Sequence, residues 1–273
     1  MSFTTWICDP KIQLENLTLA TKAQSHAFGR RLYTFDIDQQ HYWLKFHYSN
    51  THRGLEQALL GELDFYQHSQ AVQHLLLPHQ VIALNRFAHI FDGIEREMGL
   101  VTIAAKEFFT PIEDLNNIEE IRQKMVKALD VLNELHQAGW IHGDLKAEHF
   151  RVHGKACTLI DFEQACRIGQ PIETLDATPH YMAPELFQGA GKSIQSDLYA
   201  LGIIVYEWLT QSRLQAQSYH EWAVLHCQRL HIQLPEPLQC FLSVLKGLLS
   251  KHREQRFATA QATKSCLNAI NLL

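Results

Sequence analysis

The 273-residue chain lacks most of the features that would place it quickly. It has only 6 cysteines (Cys8, Cys157, Cys166, Cys227, Cys240, Cys266), and no two form a CxxC pair, so neither a disulfide framework nor a zinc site is indicated. It has no run of lysine and arginine, and its formal charge is −5, which argues against nucleic-acid binding by bulk electrostatics. No basic segment leads into an apolar run at the start, so no signal peptide is expected. The longest apolar stretch, Leu201–Leu209, is interrupted by Gly202 and Glu207 and is too short for membrane insertion. These absences together point to a reducing cytoplasm. Proline (8) and glycine (13) are too sparse for a low-complexity segment. The 17 histidines are scattered and read mostly as surface or core residues rather than as a metal cluster.

With 46% hydrophobic and 10% aromatic residues, the chain can bury one large core or two modest ones. The first hundred residues alternate short β-branched and aromatic runs with turns, predicting strands at Arg31–Asp36, His41–His47, His79–Leu84 and Leu100–Ala104. One helix is predicted among them, Gly54–His68, with Leu55, Leu59, Leu63 and Tyr66 at helical spacing. After residue 105 the pattern turns helical. Ile118–Ala138 is the clearest amphipathic segment, approached through Pro111 and Glu113–Asp114 and stopped by Gly139. Further helices are predicted at Ser196–Thr210, Tyr219–Arg229, Pro237–Ser250 and Thr259–Asn271. This is an α+β pattern: a strand-rich part, about 1–105, followed by a helix-rich part, about 106–273.

The chemistry-bearing residues lie in four stretches. Ile141-His142-Gly143-Asp144-Leu145-Lys146-Ala147-Glu148-His149 follows the long helix. An apolar run, Cys157–Ile160, then leads into Asp161-Phe162-Glu163. Ala177-Thr178-Pro179 runs on to Ala183-Pro184-Glu185, and Ser196-Asp197-Leu198 opens a helix. In this order and spacing they resemble the protein kinase family, whose catalytic loop reads H-R-D-L-K-x-x-N and whose metal-binding turn reads D-F-G.

The resemblance implies a single two-lobed protein kinase domain over 1–273, with ATP bound between an antiparallel-sheet N-lobe and a mostly helical C-lobe. It implies phosphoryl transfer, in which the protein aligns an oxygen nucleophile and neutralises charge rather than making bonds. Asp144 would orient the acceptor hydroxyl, and Lys146 would offset charge on the γ-phosphate. Asp161 would hold Mg²⁺, as its hard oxygen ligand. Lys45, alone in the apolar strand His41–His47, would orient the α- and β-phosphates when paired with Glu62; Glu56 is the competing partner, on another helical face. Thr178 would bond to the catalytic aspartate and lysine, favouring serine or threonine hydroxyls of a protein substrate over tyrosine. Glu185 and Arg256 match the family's buried structural ion pair. A pseudokinase acting as a nucleotide-binding scaffold and a small-molecule kinase are the alternatives.

The sequence also departs from the family. Of the glycine-rich loop only Gly29 remains, with Gln24 and His26 at earlier glycine positions and Phe28 left to cap the phosphates. Gly143 replaces the arginine before the catalytic aspartate, which predicts little dependence on phosphorylation of the segment that carries Thr174 and Thr178. Glu163 replaces the third residue of D-F-G; it stiffens the turn and either adds a metal ligand or faces solvent. His149 replaces the asparagine that helps hold a second ion, and an imidazole there suits Mn²⁺ better than Mg²⁺.

Overall fold

The computed structural model describes residues 14–94, 97–170 and 177–270. Cys8, Thr174 and Asn271 lie outside the described residues. The chain divides into two compact units. The first is Met1–Lys106 together with Asp161–Glu163, and the second is Glu107–Ile160 with Gln164–Leu273.

The first unit is a five-stranded antiparallel sheet with one long helix. Its strands are β1 (Glu15–Leu19), β2 (Arg30–Ile37), β3 (Gln40–His47), β4 (His79–Ala83) and β5 (Met98–Ile103), in the spatial order β1-β2-β3-β5-β4. The four predicted strands form within one or two residues of the expected bounds. β2 and β3 make a continuous hairpin from Arg30↔His47 to Ile37↔Gln40. Its turn residues Asp38 and Gln39 both have positive φ (50° and 65°), as a two-residue hairpin requires. Alternation places Phe35, Ile37, Tyr42, Leu44 and Phe46 in one core with Ile82, Leu84 and Val101. Lys45, between Leu44 and Phe46, therefore points to the opposite face.

The elements not expected here include β1 and a short helix α1 (Ala23–Ala27) between β1 and β2. The long helix α2 (Arg53–His68) begins at His52, whose side chain accepts from the Leu55 amide (3.3 Å). It buries Leu59, Glu62, Leu63, Phe65 and Tyr66. Asp161–Glu163, distant in sequence, group with this unit because the Phe162 ring stacks on Phe65 (centroids 4.0 Å apart) and meets Tyr66 edge-on (5.7 Å).

The second unit is mostly helical: α3 (Ile118–Gln137), α4 (Pro184–Phe187), α5 (Ile194–Thr210), α6 (Tyr219–Val224), α7 (Leu242–Leu248) and α8 (Ala260–Asn268). Asn117 caps α3 by accepting from the Glu120 amide, and Ile121, Met125, Ala128, Leu129, Leu132 and Leu135 are buried along it. Ser193 and Ser196 form a capping box that starts α5 two residues before the predicted bound. α5 is buried nearly all round. A Cβ on Gly202 would lie 2.8 Å from Leu249 Cδ2, so glycine permits close packing there.

Two predicted helices are broken. The Tyr219–Arg229 segment leaves α geometry after Val224 for a π turn at Leu225–Arg229, closed by Leu230 N donating to Leu225 O (2.7 Å). The Pro237–Ser250 segment begins as a 3₁₀ turn, Glu236–Phe241, because Pro235 and Pro237 restrict its start. Among the described residues, Cys157, Cys166, Cys227, Cys240 and Cys266 are free thiols. No described helix is long and apolar enough to cross a membrane.

Candidate active site

In the first unit the predicted Lys45–Glu62 pair forms, within a larger cluster. The Lys45 ammonium lies 2.8 Å from Glu62 Oε2, 2.7 Å from Asp161 Oδ1 and 2.8 Å from Glu163 Oε1. The other Glu62 oxygen accepts from the Phe162 amide (2.9 Å), so one buried carboxylate holds both the lysine and the backbone of the Asp161 turn. Glu56 instead faces the helix start and accepts from the Asn50 amide (3.3 Å).

Glu163 neither faces solvent nor stands alone: the Arg30 guanidinium bonds to both its oxygens at 2.5 Å. Burial opposes the charge of Lys45, yet Asp161, Glu62 and Glu163 outweigh it and hold its pKa well above the usual lysine value. Burial dominates at Glu62 and, with Asp161 and Glu163 adding repulsion, raises its carboxyl to about 7 against the pull of Lys45. Asp161 itself has φ +67, a left-handed conformation that costs a non-glycine residue on the order of 1–2 kcal/mol.

Could this cluster take the divalent ion that the resemblance implies? Glu62, Asp161 and Glu163 each offer a carboxylate oxygen, all within 4.8 Å of one another. Hard oxygens of this kind suit Mg²⁺, with the Lys45 ammonium as the cation now among them.

The expected phosphate loop has a different form. Gln24 and His26 lie in the helical turn α1, and Phe28 is 44% exposed with its ring edge-on to His52. Gly29 does not leave its amide open: the N–H donates to His26 O (3.1 Å), and the carbonyl accepts from the Tyr48 amide (3.0 Å). Glycine is needed here for another reason. At φ +95 an added Cβ would fall 2.1 Å from Thr51 Oγ1, so the residue serves the fold of the turn.

In the second unit, Asp144 is held from two sides. Lys146 Nζ lies 2.9 Å from its Oδ2, and Thr178 donates to Oδ1 (2.7 Å). Thr178 makes the expected bond to the aspartate, with its main-chain N–H. Behind Asp144 lies Asp197, 2% exposed. Its Oδ2 accepts from the His142 amide (2.8 Å) and pairs with His136 Nε2 (3.1 Å), and its Oδ1 accepts from the Gly143 amide (3.0 Å). Burial alone would raise the Asp197 pKa; the His136 hydrogen bond and the neighbouring histidine and amide donors hold it below the usual range.

His149 is buried with its ring stacked on His142, centroids 5.5 Å apart at 26°. Its amide donates to Lys146 O (3.0 Å), and its carbonyl accepts from the Ile160 amide (3.1 Å), so the backbone of residue 149 ties the two ends of this stretch together. Glu185 and Arg256 form the expected pair, and the guanidinium also donates to Ser250 O and Gln195 O.

Sequence reasoning missed Arg30, His136 and Lys192. His136 carried a signal: it falls at i+4 from Leu132 on the apolar stripe of α3, an unusual place for a lone histidine. Arg30 and Glu163 are 133 residues apart, and no local pattern joins them. Lys192 follows Gly189-Ala190-Gly191, which reads as a surface loop.

A model of the protein kinase domain matches residues 33–267. The chain is similar to the serine/threonine-protein kinase TIO of Arabidopsis thaliana, 31% identical over 181 residues, which are 61% of this chain and 13% of that protein. It is similar to cGMP-dependent protein kinase 2 of Homo sapiens, 34% identical over 109 residues (38% of this chain, 14% of the relative). The serine/threonine-protein kinase PLK2 of Mus musculus is 28% identical over 144 residues (50% and 21%). The chain thus spans between 13% and 21% of the length of these relatives.

Proposed function

The chain belongs to the protein kinase domain family, and from that premise we propose that it is an active phosphotransferase, moving the γ-phosphoryl group of ATP to serine or threonine hydroxyls of proteins. The observation that carries this reading is the fixed carboxylate of Asp144, held by the Lys146 ammonium and the Thr178 amide. An aspartate so held keeps lone-pair capacity to accept a hydrogen bond from a substrate hydroxyl and to aim its oxygen. Lys146 would then donate to a phosphate oxygen next to that hydroxyl. In the first unit Lys45 would position the nucleotide phosphates, with Glu62 keeping its ammonium in place; Gly29 supports the turn at the end of α1.

Asp161 would hold a divalent ion, Mg²⁺ or Mn²⁺, and His149 would offer an imidazole ligand to a second one. Such an ion, when bound, neutralises phosphate charge. Mn²⁺ is expected to support transfer at least as well as Mg²⁺, and His149→Asn to raise the Mg²⁺-dependent rate. Identical metal titrations in the two proteins would instead assign His149 to packing alone.

A second reading, a nucleotide-binding scaffold without transfer, is favoured by the three carboxylates on Lys45 and by the engaged Gly29 amide. Incubation with labelled ATP and a generic protein substrate, beside Asp144→Asn, separates the two. The expected result is incorporation that falls by roughly 2–4 orders of magnitude in the variant, with nucleotide affinity kept. Equal incorporation by both proteins would overturn the proposal, and label on small alcohols alone would point to a small-molecule kinase.

A further inference from the structure

Lys192 is a buried cation with no part in the chemistry above. It lies between α4 and α5, is 9% exposed, and donates from Nζ to the side-chain Oε1 (2.9 Å) and the main-chain O (3.3 Å) of Gln164. Gln164 opens the segment that follows Asp161–Glu163. Two residues on, that segment pairs with the strand leading to Asp144, Cys166 against Ile141 and Arg167 against Trp140. Carried two residues further, the same antiparallel register sets Gln164 opposite Gly143.

Gly143 has φ +80, and a Cβ there would lie 2.4 Å from Gln164 O, 2.8 Å from Lys192 Cδ and 3.1 Å from Lys192 Nζ. The space beside residue 143 is thus taken by the lysine stem. The arginine that the resemblance would place at 143 is replaced, in position and in charge, by a lysine from another part of the chain.

A ladder of two residue pairs is marginal alone. An ammonium hydrogen bond to a carbonyl is charge-assisted and roughly twice as strong as a neutral one. Burying an ammonium is costly unless its bonds are made, so this lysine favours the arrangement in which Gln164 is in reach.

We infer that Lys192 is a positioning residue that clasps Gln164 against Gly143, holding the segment from 164 to 168 beside the Asp144 loop without any added phosphate. The consequence for catalysis rests on the proposed role of Asp144, but the clasp itself does not.

The test uses Lys192→Met, which keeps the stem and removes the ammonium, and Lys192→Arg, which keeps the charge. Hydrogen exchange is followed at Ile168, whose amide donates to Gly139 O (3.0 Å) beyond the ladder. Losing a bond to a charged group should speed exchange there about 10- to 100-fold in the methionine variant, with α3 amides unchanged. The arginine variant should recover most of the protection. The turnover rate should fall in parallel while KM for ATP holds, and phosphatase treatment of the wild type should change neither reading. Should Lys192→Met fail to fold, Gln164→Ala removes the 2.9 Å bond while leaving the one to the main-chain O, and should show the same pattern, smaller. Unchanged exchange at Ile168 in a folded variant would overturn the clasp. Altered exchange with no phosphotransfer in the wild type would leave the clasp standing and sink the proposed function instead.

Discussion

The two units each bury a carboxylate that organises candidate active-site residues, and they satisfy it in opposite ways. In the first, Glu62 belongs to a cluster of long side chains: Lys45 meets three carboxylates, and Arg30 grips one of them. In the second, Asp197 is met by two main-chain amides and a histidine. Side-chain ion pairs can exchange partners, so the first arrangement leaves Lys45 able to change the anion it meets. Amides held in the backbone cannot move aside, so the second fixes the stretch His142–Gly143–Asp144 permanently.

The sharpest break of this comparison is Asp197→Ala. It leaves two buried amides and a buried imidazole without their acceptor, and about 3–5 kcal/mol of stability should be lost, read by chemical denaturation. Next comes Lys45→Met, which leaves three carboxylates facing one arginine. Nucleotide binding should weaken at least 10-fold by calorimetry, with the fold retained; unchanged affinity would remove Lys45 from the nucleotide site.

Glu163→Gln should act in the other direction. Freed from one competing anion, Lys45 should bind nucleotide a few-fold more tightly, and a loss of affinity would mean that Glu163 assists rather than competes.

The smallest effects expected are in pH dependence, and the two units should differ in sign. Glu62 is raised to about 7 by burial, so its stabilising contribution is whole below the ordinary glutamate range and is lost as pH rises through 7. His226, fully buried on Tyr199, is lowered to about 4, chiefly by burial. Its contribution is whole above the ordinary histidine value and is lost as pH falls from there toward 4. Melting temperatures of Glu62→Gln and His226→Gln across pH 4–8 should lose slopes of opposite sign over this overlapping window.

Much of this was legible in the sequence, for reasons that differ by residue. Lys45 in an alternating apolar strand and Glu62 beside Leu59, Leu63 and Tyr66 are local patterns whose pairing follows from the cost of burying either alone. The long helix α3 could be read from its apolar stripe and its stop at Gly139. Residue 29 was legible as an exception but not in its use, because its neighbour Thr51 is brought close only by the fold. The same holds for Glu163 with Arg30 and for Lys192 with Gly143: each joins residues far apart in sequence, where periodicity carries no information. The π turn after Val224 was invisible for a different reason, since a single added residue per turn leaves the hydrophobic spacing nearly intact.

That Asp161–Glu163 belong with the first unit has a consequence for the order of events at the ribosome. The first unit is emptied of its Phe65 partner, and Lys45 of two of its three anions, until a tripeptide separated from Lys106 by 54 residues has emerged. At about 5–20 residues per second, that interval is roughly 3–11 s. Through that time the nascent segment exposes the flank of α2 that Phe162 will cover. A fragment ending near residue 106 should therefore be a poor folder by itself, and the sheet-bearing unit is finished only when the helical one is already well under way.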